Sequence, residues 1–387
     1  MINAFHFSCE GDSHKATNKV CQDFSLTSIK DGLAVAVVCD GHGGERYFRS
    51  DIGAKYAAEI TLEVVSLFVK NIDQSIFVNK PYTAIGPTST IDDAEQLSEI
   101  DKAFRRLFSS IIFKWNERIE EHAKTTALSD WEIKNVPQKY LDEFADAKSL
   151  EKHYGCTLMA YVQTEKYWFA FHIGDGKCIS FQNNPIWREP VPWDDKCFLN
   201  KTTSLCDTSA IDEFRYCYQG NGEFPFAVFL GSDGLDDSFG EEENLVNFYI
   251  QILKMLYNEG IDVTSKSVEE DLPKLSAIGS KDDMSVAFVY DTNSLTSNVS
   301  RLIQYQLQLV IDSIHQIDKK IKRLKEKSKS LETVSHQEEK SKIEATYAMQ
   351  DIERAYAERQ KLLLRFDVLE KQLSLSITSN LNDKING

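Results

Sequence analysis

After Gly279 the chain has no glycine until Gly387, and all eight prolines lie at or before Pro273. Glycine and proline punctuate turns and loops, so a run of about 100 residues with neither is restricted to long helix. The apolar spacing agrees. Ile303, Leu307, Val310, Ile314, Ile317, Ile321 and Leu324 follow a 4-3-4-3-4-3 rhythm, and Leu331 continues it one heptad on. A second stripe runs through Ala345, Ala348, Ile352 and Ala355, then Leu362, Phe366, Leu369 and Leu373. Spacing near 3.5 is that of a coiled coil. Between the stripes the seam positions become Ser335, Glu338 and Lys342. Residues 293–387 therefore read as a coiled-coil hairpin with its turn around Thr333–Gln337. Each arm of ~30 residues would reach ~45 Å. One continuous helix with a polar stutter is the alternative. A two-helix hairpin leaves one apolar face uncovered, so a second copy or a coiled-coil partner is expected on it.

Residues 1–292 have a different texture. Short β-branched or aromatic runs recur at 33–38, 157–162, 167–172, 226–230 and 284–290, with a further strand candidate at Phe24–Ser28. Helical stretches lie between them at Ser50–Val69, Ile100–Glu121 and Glu243–Tyr257, with a weaker one at Tyr140–His153. Gln163–Lys166 is a hairpin-length connection. The pattern predicts an α+β domain with helices covering antiparallel sheets, followed by the helical tail.

Charge narrows the function. The chain holds 44 Lys and Arg against 60 Asp and Glu, a formal net of −16. Residues 293–387 carry 16 basic and 13 acidic groups, so the acidic excess lies in the first 292 residues. Nucleic-acid affinity rests on neutralising phosphates, and a chain this acidic argues against it. No apolar stretch approaches the ~20 residues of a membrane span. The eight cysteines contain no CxxC pair, which predicts free thiols, a reducing compartment and a cytoplasmic location.

The acids are placed suggestively. Run 33–38 leads into Cys39-Asp-Gly-His-Gly-Gly44, run 167–172 into Gly174-Asp-Gly176, and run 226–230 into Gly231-Ser-Asp-Gly234. Asp282-Asp283 precedes run 284–290, and Gln22-Asp23 precedes Phe24. A single Asp-Gly after a strand is usually only a turn. Several such carboxylates at strand ends can converge on hard divalent cations such as Mg²⁺ or Mn²⁺. His42, two residues after Asp40, could donate a proton near neutral pH, although a lone histidine there is more often an ordinary loop residue. His172, inside a strand, reads as a core residue.

These segments resemble the metal-dependent Ser/Thr protein phosphatases of the PP2C-like (PPM) family. The blocks that carry the likeness are Val38–Gly44, Gly155-Cys-Thr157, Gly174-Asp-Gly176, Gly231–Asp237 and Gly279–Ser285, in family order. The resemblance implies an antiparallel β-sandwich flanked by helices, with two Mn²⁺ or Mg²⁺ ions in a cleft at one end. In it Asp40 would bridge the ions and Gly41 would offer its carbonyl. Asp233 and Asp282 would hold one ion, and Asp23 would act near the other. Asp175 would serve, with Asp233, a third and weaker ion. A metal-activated water would attack phosphorus, with His42 as general acid for the departing Ser or Thr oxygen. The substrate would be a phosphoprotein.

Three positions depart from the family pattern. Asn18 stands where a phosphate-gripping Arg is usual, and His14, Lys15 or Lys19 could replace it. Ser13-His14 with Cys21-Gln22-Asp23 resembles a bacterial variant of this block. Asp283 stands in place of Asn, and Leu235-Asp236 in place of a pair ending in Trp. The missing Arg raises a second reading, a phosphatase-like scaffold without catalysis. Residues 183–225 fall where the family carries a variable flap.

Overall fold

The structure is a computed structural model that describes residues 1–87, 98–198, 201–334 and 339–386. Two units are resolved by their internal contacts, Met1–Leu295 and Thr296–Gly387.

In chain order the strands of the first unit are β1 (Ile2–Cys9), β2 (Phe24–Lys30), β3 (Leu33–Cys39), β4 (Thr83–Ile85), β5 (Leu158–Gln163), β6 (Trp168–Ile173), β7 (Lys177–Phe181), β8 (Trp187–Arg188), β9 (Arg215–Gln219), β10 (Ala227–Gly231) and β11 (Met284–Asp291). They form two wholly antiparallel sheets. One has the order β1-β11-β10-β7-β8, the other β2-β3-β5-β6-β9-β4.

Period-two alternation in β3 builds both layers of the core. Ala34, Ala36 and Val38 join Met159, Tyr161, Val228, Leu230 and Ala287 between the sheets. Val35, Val37 and Cys39 join Ala54, Ala57, Ala58 and Val65 of the helix Ser50–Asn71. That helix packs with the helix Glu99–Thr125, whose Phe104, Leu107, Phe108, Ile111 and Trp115 are buried. The small alanines of β3 let the sheets approach to the ~10 Å typical of a sandwich. Thr164 closes the hairpin between β5 and β6, its N–H donating to the Tyr167 carbonyl at 2.9 Å.

Two expectations change. The helix expected at Tyr140–His153 is two short ones, Gln138–Ala145 and Leu150–His153. Ala147 and Ser149, both in the left-handed region, interrupt it (φ 52° and 47°), and such a conformation cannot continue an α-helix. Pro273, taken as loop punctuation, lies inside the helix Ile261–Ile278.

The second unit holds most of the helix Thr292–Val334 and all of the helix Glu339–Asn386. Ile317, Ile321 and Ala355 share a small core flanked by Leu324 and Leu362. Arg359 Nε donates to Asp318 at 2.7 Å, and the Lys325 ammonium sits 5.1 Å from the Tyr356 ring centre. Rising numbers on one helix meet falling numbers on the other, so the helices are antiparallel. Of the expected turn at Thr333–Gln337, Thr333 and Val334 end the first helix, and residues 335–337 lie outside the described residues. All eight cysteines are free thiols. Among the described residues no helix is long and apolar enough to cross a membrane.

Candidate functional site

Strand pairing gathers the acids at one end of the sandwich. Phe24 of β2 pairs with Cys39 of β3, which sets Asp23 beside Asp40. Thr157, just before β5, clamps Asp40 by its backbone. Its N–H donates to the Asp40 carbonyl at 2.8 Å, and its hydroxyl accepts from the Asp40 N–H at 3.0 Å. In the other sheet, Gly231 pairs with Lys177 and Val286, which brings the ends carrying Asp175, Asp233 and Asp282 together. Ser232 ties the last two segments. Its N–H donates to the Ser285 carbonyl at 3.1 Å, and its hydroxyl accepts from the Ser285 N–H at 2.9 Å.

Asp23, Asp40, Gly41, His42, Asp175, Asp233 and Asp282 all line one cleft of about 880 Å³, with Asp237 and Asp283. Gly41 has no room for a side chain: a Cβ would lie 2.5 Å from the Gln22 carbonyl oxygen and 2.8 Å from that of Ser50.

The cleft is an electrostatic problem for the bare protein. Burial, then the charges of Asp233 and Asp23, push the Asp40 carboxyl well up. Burial, then Asp283, does the same to Asp23. Asp175 is pushed up to about 6 by burial and by Asp233, and Asp282 is raised by the same two causes. Asp23 Oδ2 is buried without a hydrogen-bond partner. Like charges massed around an orphaned carboxylate oxygen, all hard donors, are what a divalent cation of the Mg²⁺ or Mn²⁺ type answers.

His14, Asp282 and Asp283 also bring ligand atoms within 4.8 Å of one another, but His14 is already engaged. Its Nδ1 lies 2.9 and 3.0 Å from the two oxygens of buried Asp283. Those oxygens also accept from the N–H groups of Gly11 at 2.7 Å and Gln22 at 2.6 Å. Burial raises the Asp283 carboxyl, and these hydrogen bonds outweigh it, leaving it below the usual carboxylate range.

Of the residues expected to grip phosphate, His14 lines the cleft, whereas Lys15 and Lys19 do not. Lys19 Nζ donates to the Gly43 carbonyl at 2.7 Å and lines a neighbouring pocket of about 450 Å³. Lys196 and Lys201 line the cleft instead, from the loop after β8. Lys196 is held by both oxygens of Glu213 at 2.7 Å. The same loop contributes Thr202, Thr203, Ser204, Cys206 and Asp207. Sequence reading marked the region as a flap without finding these residues, since a run of Thr and Ser carries no periodicity.

Burial drives the His42 imidazole down to about 4 against the opposing charge of Asp207, so it is neutral in the free cleft near pH 7. His172 is buried in β6, its pKa held well down by burial and by Arg215.

One protein family and several solved structures match the chain. The family described as Protein phosphatase 2C matches residues 10–274. No curated protein matches the chain. Among solved structures, a C. elegans sex determining protein is 16% identical over 76% of this chain and 66% of that one, with a TM-score of 0.45. A bacterial serine phosphatase is 14% identical over 75% and 98%, with a TM-score of 0.43. The catalytic domain of the serine/threonine phosphatase PstP, solved with two manganese ions, is 14% identical over 75% and 97%, with a TM-score of 0.38.

Proposed function

The chain belongs to the protein phosphatase 2C family, and from that premise we propose that it hydrolyses phosphoserine and phosphothreonine in proteins with the help of Mn²⁺ or Mg²⁺. The observation that carries this reading is the convergence of five aspartates from both sheets on one cleft. Asp40 would bridge two ions with Gly41 offering its carbonyl, Asp233 and Asp282 would hold one, and Asp23 would stand near the other. Asp175 and Asp233 would serve a third. When bound, such ions supply a nucleophilic water at neutral pH and offset the charge of the phosphoryl oxygens.

The chain's own residues do the rest. Thr157 and the Ser232–Ser285 pair hold the carboxylates in register. His42 gives a proton to the departing hydroxyl oxygen. The arriving phosphate dianion adds the negative charge that favours its imidazolium form. His14 and Lys201, which line the cleft, are the residues this reading assigns to meeting phosphate. Lys196, Thr202, Thr203, Ser204, Cys206 and Asp207 form one wall of the cleft.

Partner recognition or self-association belongs on the helical unit in this reading. Support comes from Ile343, Tyr347, Leu364, Val368 and Leu375, exposed at heptad-related positions of one helix. The free cysteines support a reducing, cytoplasmic setting.

The deciding experiment is hydrolysis of a phosphopeptide panel with Mn²⁺, with and without excess chelator. Turnover of phosphoserine or phosphothreonine peptides that chelator abolishes is expected. Undiminished turnover in chelator, or none with either ion, overturns the reading.

A further inference from the structure

We propose that Ser204, from the loop after β8, is the positioning residue for His42, committing Nε2 to the protein and leaving Nδ1 as the nitrogen that delivers the proton. This rests on the reading of His42 as general acid. Ser204 Oγ lies 2.7 Å from His42 Nε2 and 3.0 Å from the Cys156 carbonyl. A serine hydroxyl has one hydrogen and two lone pairs. When the ring is cationic, Nε2–H must donate, and Ser204 can accept because its own hydrogen has the Cys156 carbonyl to go to. Among the described residues Nδ1 makes no hydrogen bond, and His42 lines the cleft.

The rest of the ring is boxed in. Tyr47 meets it edge-on at 4.8 Å. The backbone N–H of His42 donates to the Gly155 carbonyl at 3.1 Å. A Cβ on Gly155 would lie 2.8 Å from His42 Cδ2 and from Cys206 Sγ, so only glycine lets the imidazole settle there. Ser204 is itself fixed: it is 2% exposed, and its N–H donates to Asp207 at 2.9 Å. Lys152 holds the other oxygen of Asp207 at 3.0 Å. The acid is thus aimed by a loop that also walls the substrate cleft.

The test compares Ser204→Ala, Ser204→Thr and His42→Ala on a phosphothreonine peptide and on p-nitrophenyl phosphate, whose leaving group needs no acid. A general acid contributes ~10²–10⁴ in rate, and losing its aim forfeits a part of that. Ser204→Ala is expected to lower kcat on the peptide about 10- to 100-fold, with KM within about twofold and aryl phosphate turnover within about threefold. Ser204→Thr, which keeps the hydroxyl, should recover most of the loss. Equal losses on both substrates for Ser204→Ala make its role merely structural and overturn the proposal. Equal losses for His42→Ala overturn the acid reading itself. A readout without turnover uses the unsubstituted protein with diamagnetic Mg²⁺: ¹⁵N resonances of the His42 ring during titration with inorganic phosphate. Nδ1 should move and Nε2 stay nearly fixed, and the reverse overturns the assignment even if the variants fail to fold.

Discussion

Asp283 shows what a single buried carboxylate can organise. It accepts from Gly11, Gln22 and His14, so it joins the loop after β1 and the loop carrying Asp23 to its own. Asp283, a departure from the family pattern, forms one hydrogen-bonded pair with His14. Asp283→Ala strands two backbone donors and should cost about 3 kcal/mol in urea unfolding, whereas Asp283→Asn, which keeps one acceptor oxygen, should cost less. Asp40→Asn and Asp233→Asn should abolish turnover while leaving circular dichroism unchanged. Asp175 offers a pH test in chelator. Its carboxyl stays protonated to about pH 6 when folded, against ~3.9 when unfolded. The folded state therefore binds the extra proton, and stability should fall as pH rises from about 4 through 6. Asp175→Asn should make the fall in melting temperature over that window shallower, the other raised carboxyls of the cleft keeping the remainder, and an unchanged slope would place the titration elsewhere. The aspartates were legible in the sequence because each adjoins a strand-like run. Ser204, Lys201 and Asp207 were not, because an irregular loop brings them to the cleft by tertiary packing alone.

Between elements, size matching decides the sandwich. Ala34 and Ala36 of β3 face the opposite sheet where larger residues would hold it away. Ala36→Leu should cost roughly 1–3 kcal/mol by overpacking, read as a lower urea midpoint. The strands with dense apolar runs, β3, β5, β6, β10 and β11, were readable from composition. β1 was not. Its register with β11, Ile2 to Asp291, joins the two ends of the unit, and no local pattern announces a pairing that distant. β7 and β9 escaped for a related reason: each is five residues long with polar members, Lys177 and Ser180 in one, Arg215 and Gln219 in the other. Pro273 misled because a helix can carry a proline where tertiary packing offsets the lost hydrogen bond.

At the scale of the molecule the two units should fail separately. Ile321→Asp places a charge in the small core with Ile317 and Ala355. Helical circular dichroism should drop while hydrolysis of aryl phosphate stays within about twofold; a collapse of both would mean the units are one cooperative body. The absence of glycine and proline made the tail's helices plain from the sequence, whereas the sheet order of the first unit depended on contacts between distant segments. A last consequence lies in time rather than space. The cleft acids come from both sheets, Asp23 and Asp40 from one, Asp233 and Asp282 from the other. No intermediate with a single formed sheet owns the whole set. A cation that needs both halves should leave the refolding rate nearly unchanged and slow unfolding in proportion to its occupancy, the signature of contacts made only after the folding barrier is crossed. Stopped-flow chevrons with and without Mg²⁺ would show the shift on the unfolding arm alone, and an equal shift on the refolding arm would mean that the two sheets meet earlier than this reasoning allows.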